Sequence, residues 1–217
     1  MADIFHEVDE EVRRERLKKI WDRYGLLILG LAVLLVVAVA GYRAYAYFEA
    51  RKAAEAGAAY EAADALAESG KHQEAADAFA RIAKDGTPGY RALARLREGG
   101  EIAGHDAKAA VGLFDQVAGD SAVPGALRDL AAIRAGYLLI DAAPFAEMQQ
   151  RLEPLTAQNR AFRHSARELL AVSAWRNNDA AAARRWAEMA VNDAETPGTI
   201  RQRIEMLLAL LPAQAKG

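Results

Sequence analysis

The sequence predicts an all-α protein: a single N-terminal transmembrane helix followed by an α-solenoid of helical hairpins. Three observations carry that expectation. No Asp, Glu, Lys, Arg or His stands between Arg23 and Arg43, so residues 25–42 form one uninterrupted apolar run. After Phe48 the composition turns alanine-rich and is broken at regular intervals by Gly, Asn and Pro. Nowhere does a period-2 run of β-branched residues suggest a strand.

Residues 1–24 are basic, with Arg13, Arg14, Arg16, Lys18, Lys19 and Arg23. Leu17, Ile20, Trp21 and Tyr24 recur at helical spacing there, and Glu15 stands within reach of Lys18 and Lys19. Residues 25–48 are the expected transmembrane helix. A backbone in hydrocarbon must bond to itself, which makes a lone crossing helical, and at 1.5 Å per residue the run with its flanks spans roughly 30 Å. Trp21 and Tyr24 on one side and Tyr42, Tyr45, Tyr47 and Phe48 on the other are the rings that settle at membrane interfaces. Only Arg43, Arg51 and Lys52 follow the run closely. The Lys and Arg excess therefore predicts a single-pass membrane protein with its N-terminus cytoplasmic and residues 49–217 translocated. A cleaved signal peptide, with Ala38 and Ala40 before Gly41, and the buried helix of a soluble protein are the competing readings of the same run.

Bulk composition narrows the function. The chain has 217 residues, a net charge of −2 and no cysteine. Near-neutral charge with no basic cluster beyond the tail argues against nucleic acid as a partner, and the basic tail is read as a topology signal beside membrane lipid. Lacking cysteine, the translocated part is held by packing alone, and thiol chemistry is excluded.

From residue 49 onward, breaks are expected at 69–70, 85–89, 104–106, 119–121, 141–144, 159, 177–179 and 196–198, where Gly and Asn offer left-handed caps and Pro stops a helix. Taking Gly70, Gly104, Ala143 and Asn178 as the hairpin turns gives spacings of 34, 39 and 35 residues. A unit of about 34 residues made of two antiparallel helices is the tetratricopeptide period, so the domain is expected to be a tetratricopeptide-like α-solenoid. Five residues past each turn stand Ala75, Ala109, Met148 and Ala183, and seven before it Ala63, Arg97, Gly136 and Ala171. These are the expected places of closest helix approach, with Arg97 and Met148 out of pattern. Phe79, Ile82, Leu113, Leu152, Leu155 and Ala190 are expected to fill the layer between units. Gly99 and Gly100 weaken the first helix of the second unit, at about 1 kcal/mol each against alanine. Residues 199–211 are expected to cap the open end.

This layout resembles that of the YfgM-like ancillary subunits of the bacterial SecYEG translocon, over nearly the whole chain. Residues 90–96 (YRALARL), 109–118 (AAVGLFDQVA), 167–171 (RELLA) and 178–186 (NDAAAARRW) carry the resemblance, and residues 4–17 look like the tail of the alphaproteobacterial branch. The glycine-containing segment 98–104 departs from it. The resemblance implies a non-enzymatic adaptor that assists exported polypeptides at the Sec translocon beside a membrane-anchored periplasmic chaperone of the peptidyl-prolyl isomerase class. An envelope-assembly scaffold, in division or secretion, is the alternative.

No catalytic motif emerges. His6, His72, His105 and His164 are scattered, and there is no metal-binding His spacing, phosphate loop or nucleophile elbow, so no cofactor, metal or catalytic residue is expected. An enzyme would need a site assembled only in space. A concave face lined by the first helix of each hairpin is the expected binding surface, and counting from the turns places Tyr60, Asp64, Arg91, Glu98, Tyr137, Glu168, Val172, Trp175 and Arg176 on it. Aromatic and Arg side chains are common anchors for a bound segment. The alternative for Tyr60, Tyr137 and Trp175 is that they belong to the core.

Overall fold

A computed structural model describes residues 3–212, with side chains at Arg14, Lys18, Lys19 and from Trp21 onward. Among the described residues there are nine α-helices and no strand. Helix α1 (Asp3–Glu68) is one long helix, and its apolar stretch is long enough to cross a membrane. None of its most apolar window is buried. Leu26, Leu31, Leu34 and Val37 all face outward there. The stripe expected in the tail falls partly on Leu17 and Ile20, which lie outside the described side chains, as does His6.

The chain divides into two compact units, the first ending at Lys52 and the second beginning at Ala53. The second contains the end of α1, then α2 (His72–Asp85), α3 (Pro88–Ile102), α4 (Ala107–Gly119), α5 (Gly125–Leu139), α6 (Phe145–Leu152), α7 (Arg163–Arg176), α8 (Ala180–Val191) and α9 (Gly198–Leu210). Every expected break separates two helices or lies in a loop. Gly70 and Asn178 adopt positive φ, +78° and +60°, which is the left-handed geometry that closes the first and fourth hairpins. Pro154, which has no N–H, sits in the 3-10 turn Glu153–Leu155 that follows the short α6.

Hairpin register is set by the N-cap of each second helix rather than by the turn residue. The N-caps are Lys71, Asp106, Pro144 and Asp179, spaced 35, 38 and 35 residues apart. Four residues on stand Ala75, Ala110, Met148 and Ala183, all fully buried. Eight on come Phe79, Phe114, Leu152 and Ala187, and eleven on Ile82, Val117, Leu155 and Ala190, again all buried. This ladder corrects the second unit by one residue: Ala109 is exposed and Leu113 only half-buried. The reason is local. Three residues separate Ile102 from Asp106, against two between Glu68 and Lys71 and two, Asn177 and Asn178, between Arg176 and Asp179. Asp106 and Asp179 cap their helices by accepting from the Ala109 and Ala182 amides, both at 2.9 Å.

Met148 fits the ladder, being as buried as the alanines in its row. Arg97 is not the close-approach residue of α3; Gly99 is, since a Cβ there would lie 2.8 Å from Phe114 Cε1. Helix α3 runs unbroken through Gly99 and Gly100 because the first glycine admits the Phe114 ring that joins α3 to α4. Gly136 is similarly enclosed by Leu169 and Leu152. Helix α9 packs Ile200, Ile204 and Leu207 on the α7 and α8 core, as expected of a terminal cap.

Candidate protein-binding face

The nine expected residues are placed unevenly. Tyr60 is half-buried, edge-on to Phe79 with ring centroids 5.2 Å apart and tilted on Tyr90 at 5.8 Å. Burial pushes its phenol above the ordinary range, with the Arg97 guanidinium opposing. Asp64, one helix pair earlier in the stack, forms an ion pair with Arg97. Arg91 is exposed on α3. Glu98 is half-buried, and burial raises its carboxyl, with Arg95 opposing and Asp77 on α2 adding to the rise. Its electrostatic neighbours thus lie along α2 and α3, apart from the Asp64–Arg97 pair.

The remaining residues gather on α5 and α7. Tyr137 is 48% exposed, and its phenol is raised by burial and by the Glu168 carboxylate while Arg203 opposes. Glu168 is buried and accepts from Arg203 Nε and Nη2 at 2.5 and 2.8 Å. This bidentate pair joins α7 to α9 across 35 positions, one repeat. Val172 is half-buried against the main core, and Trp175 is 42% exposed. Arg176 donates to the Ile140 carbonyl at 2.5 Å and the Asp141 carbonyl at 3.1 Å, and also pairs with the Asp141 carboxylate. It braces α7 on the end of α5.

A polar knot at the start of α7 has no counterpart among the expected residues. Asp193 accepts from Arg163 Nε at 3.0 Å and Arg167 Nη1 at 2.8 Å, and its carboxyl is held well below the usual range, chiefly by the Arg163 bond. Arg167 also donates to the Thr156 carbonyl at 2.9 Å. His164 Nδ1 lies 2.8 Å from Thr196 Oγ1, whose own proton goes to the Ala190 carbonyl at 2.6 Å. Since that hydroxyl has one proton, Nδ1 is the donor toward it. The knot gathers His, Asp and Thr, but Asp193 and Thr196 address the same ring nitrogen, Asp193 from 3.8 Å. A base relay needs both nitrogens, so this arrangement is a clamp between α7 and the segment entering α9. Only the repeat offset of about 30 residues between 163 and 193 signals it in sequence.

Among the described residues, no three His, Asp or Glu side chains converge to hold a metal. What the geometry defines is a helical-hairpin scaffold, with ion pairs one repeat apart tying hairpin to hairpin and aromatic side chains exposed on its first helices. The chain belongs to the tetratricopeptide repeat-like domain family, whose model matches residues 18–213. No curated protein and no solved structure matches it. Domains of this kind are protein-binding scaffolds, so the chain is a protein-interaction module whose α1 carries a candidate membrane span.

Proposed function

We propose that the protein is a membrane-tethered adaptor. Residues 1–24 lie in the cytoplasm, 25–48 cross a bacterial inner membrane, and 49–217 act in the periplasm. There the stack meets exported polypeptides at the Sec translocon, beside a membrane-anchored chaperone. The single observation that carries this reading is the combination, in one chain, of an apolar span uncovered by protein and a tetratricopeptide-like stack. Tethering near an exit site raises the effective concentration of the stack there, so modest affinity suffices. Resemblance to the translocon-associated subunits supplies the finer partner assignment.

The face nominated for binding contains Arg91, Tyr137, Val172 and Trp175, with Tyr60, Asp64, Glu98, Glu168 and Arg176 bracing it. The absence of native cysteine makes a direct topology test clean. An impermeant maleimide should label Gln73→Cys in intact spheroplasts and Arg14→Cys only after permeabilisation; the reverse pattern overturns the orientation. Photo-crosslinking from position 175 in membranes should capture a translocon or chaperone component, and capture of neither removes the translocon reading. The uncovered apolar surface of the span also supports the alternative scaffold for division or secretion machinery, held by helix contacts in lipid. Replacing residues 25–48 with an unrelated crossing separates the two, because the adaptor keeps its partners and the scaffold loses them.

A further inference from the structure

Among the described residues outside α1, the exposed large apolar side chains are Tyr137, Trp175, Met189, Met206 and Leu210, and all but Met189 lie on α5, α7 and α9, the first-helix series of the stack. Tyr137 on α5 lies near enough to feel the charges of Glu168 on α7 and Arg203 on α9, and those two form the bidentate pair. Trp175 stands seven residues beyond Glu168 on α7, and Leu210 seven beyond Arg203 on α9. Seven residues return a helix to nearly the same face. Trp175 and Leu210 are therefore repeat equivalents, 35 apart like Glu168 and Arg203, on the surface that holds Tyr137.

We infer that Tyr137, Val172, Trp175 and Leu210 form a strip that binds an uncharged, apolar stretch of extended polypeptide. The inference rests on the adaptor reading and deepens it by naming the partner's chemistry and by moving the contact to the C-terminal half of the stack. Charge decides the occupant. Glu168 is neutralised by Arg203 and Arg176 by the Asp141 carboxylate, so the ionised groups bordering the strip are already matched. A charged motif gains no partner here and loses water on docking. An apolar segment has the opposite balance, since covering these side chains gains about 25 cal/mol per Å². Spacing sets the pattern: packed helices lie about 8–10 Å apart and an extended chain rises about 3.3 Å per residue. A partner crossing α5, α7 and α9 thus presents an apolar residue at about every third position.

The test uses the full chain in nanodiscs and a synthetic peptide with Leu at every third position among Ser and Asn, followed by calorimetry. The peptide should bind with an affinity nearly independent of salt and with a negative heat-capacity change. Leu210→Asp should weaken binding by at least about tenfold, and its melting temperature should match the wild type, because this side chain is 67% exposed. Met189→Asp, on α8, should leave affinity unchanged. A peptide with the leucines replaced by Asp should not bind. Affinity that falls steeply with salt, or falls equally for Met189→Asp, overturns the inference. If the peptide binds and neither Leu210→Asp nor Trp175→Ala weakens it, the strip is wrong and the adaptor reading stands. Should Leu210→Asp instead convert a dimer to a monomer, a second copy is the occupant and the inference falls. Failure of any polypeptide to bind, together with empty crosslinking in membranes, removes the adaptor reading itself.

Discussion

The first two hairpins and the last two use the same core ladder but are joined to their neighbours by different means. Between α1 and α3 the tie is Asp64 with Arg97, both more than a third exposed, supplemented by Tyr60, Phe79 and Tyr90 rings. Around α7 the ties are buried: Arg163, Arg167 and Glu168 are each under a tenth exposed, and the helix buries side chains on nearly every side. Partly exposed ion pairs add little because water already solvates each charge, whereas a buried charge left without its partner is costly. The early hairpins combine apolar contact with partly exposed pairs such as Asp64 with Arg97 and His72 with Glu101, whereas on α7 the charges of Arg163, Arg167 and Glu168 are themselves buried.

The largest expected effects fall where the halves agree. Phe79→Ala and Leu152→Ala occupy the same ladder row and are fully buried, and each should cost about 2–5 kcal/mol in denaturant unfolding. A large difference between them would show that the ladder is unequal and would break the comparison at its base. Next come the ion pairs. Asp193→Asn leaves Arg163 and Arg167 without their shared carboxylate, and should lower the melting temperature far more than Asp64→Asn. Equal losses would mean that burial does not distinguish the two junctions.

Adjacent glycines of α3 give a smaller test with opposite signs. Gly100→Ala meets nothing closer than Arg134 Nη1 at 3.9 Å and should stabilise by about 0.5–1 kcal/mol through helix propensity. Gly99→Ala forces the Phe114 ring to move, at about 1–3 kcal/mol before the propensity gain is counted. Thermal melts of the two variants should move in opposite directions. If both rise, the ring has room and the close approach of α3 to α4 is not what requires glycine.

The helical fold was legible because Gly70, Asn178 and the prolines mark its breaks with a local mechanism that needs no tertiary knowledge. Register within the second hairpin was not, since a turn glycine does not say how many residues remain before the N-cap; Asp106, with its capping carboxylate, was the better marker. The α7 knot was hidden for another reason. Arg163, Arg167 and Thr196 read as solvated polar residues, and only the packing of α7 against the α8–α9 connection buries them around the partly buried Asp193. For the proposed face, Tyr137 and Trp175 were readable as aromatics on first helices and are exposed, whereas the exposure of Leu210 was hidden behind the reading of α9 as a cap.

The smallest expected effect is a dependence on pH, and it tests whether the later junction responds as a unit. His164 is buried beside Arg163 and Arg167, with Asp193 and Glu195 opposing. Burial first and Arg163 second lower its pKa. A base whose folded pKa is depressed is neutral in the native protein and more readily protonated in the unfolded chain. Stability is therefore complete above the unfolded value of about 6.5 and declines as pH falls through it toward the folded pKa. Asp193 is depressed too, but its loss begins only below about pH 4, so a scan from neutral to mildly acidic pH separates the histidine from it, while the raised Glu98 carboxyl on α3 titrates with the opposite sign. Protonation adds a third cation beside Arg163 and Arg167 on a segment that positions Thr196 and the start of α9. Hydrogen exchange should accordingly quicken in α9 before α2 as the pH drops, and His164→Asn, which keeps a donor toward Thr196 without titrating, should flatten that response. Equal acceleration in α2 and α9 would mean the whole stack loosens together, and the contrast between its two ends would not extend to their response to acid.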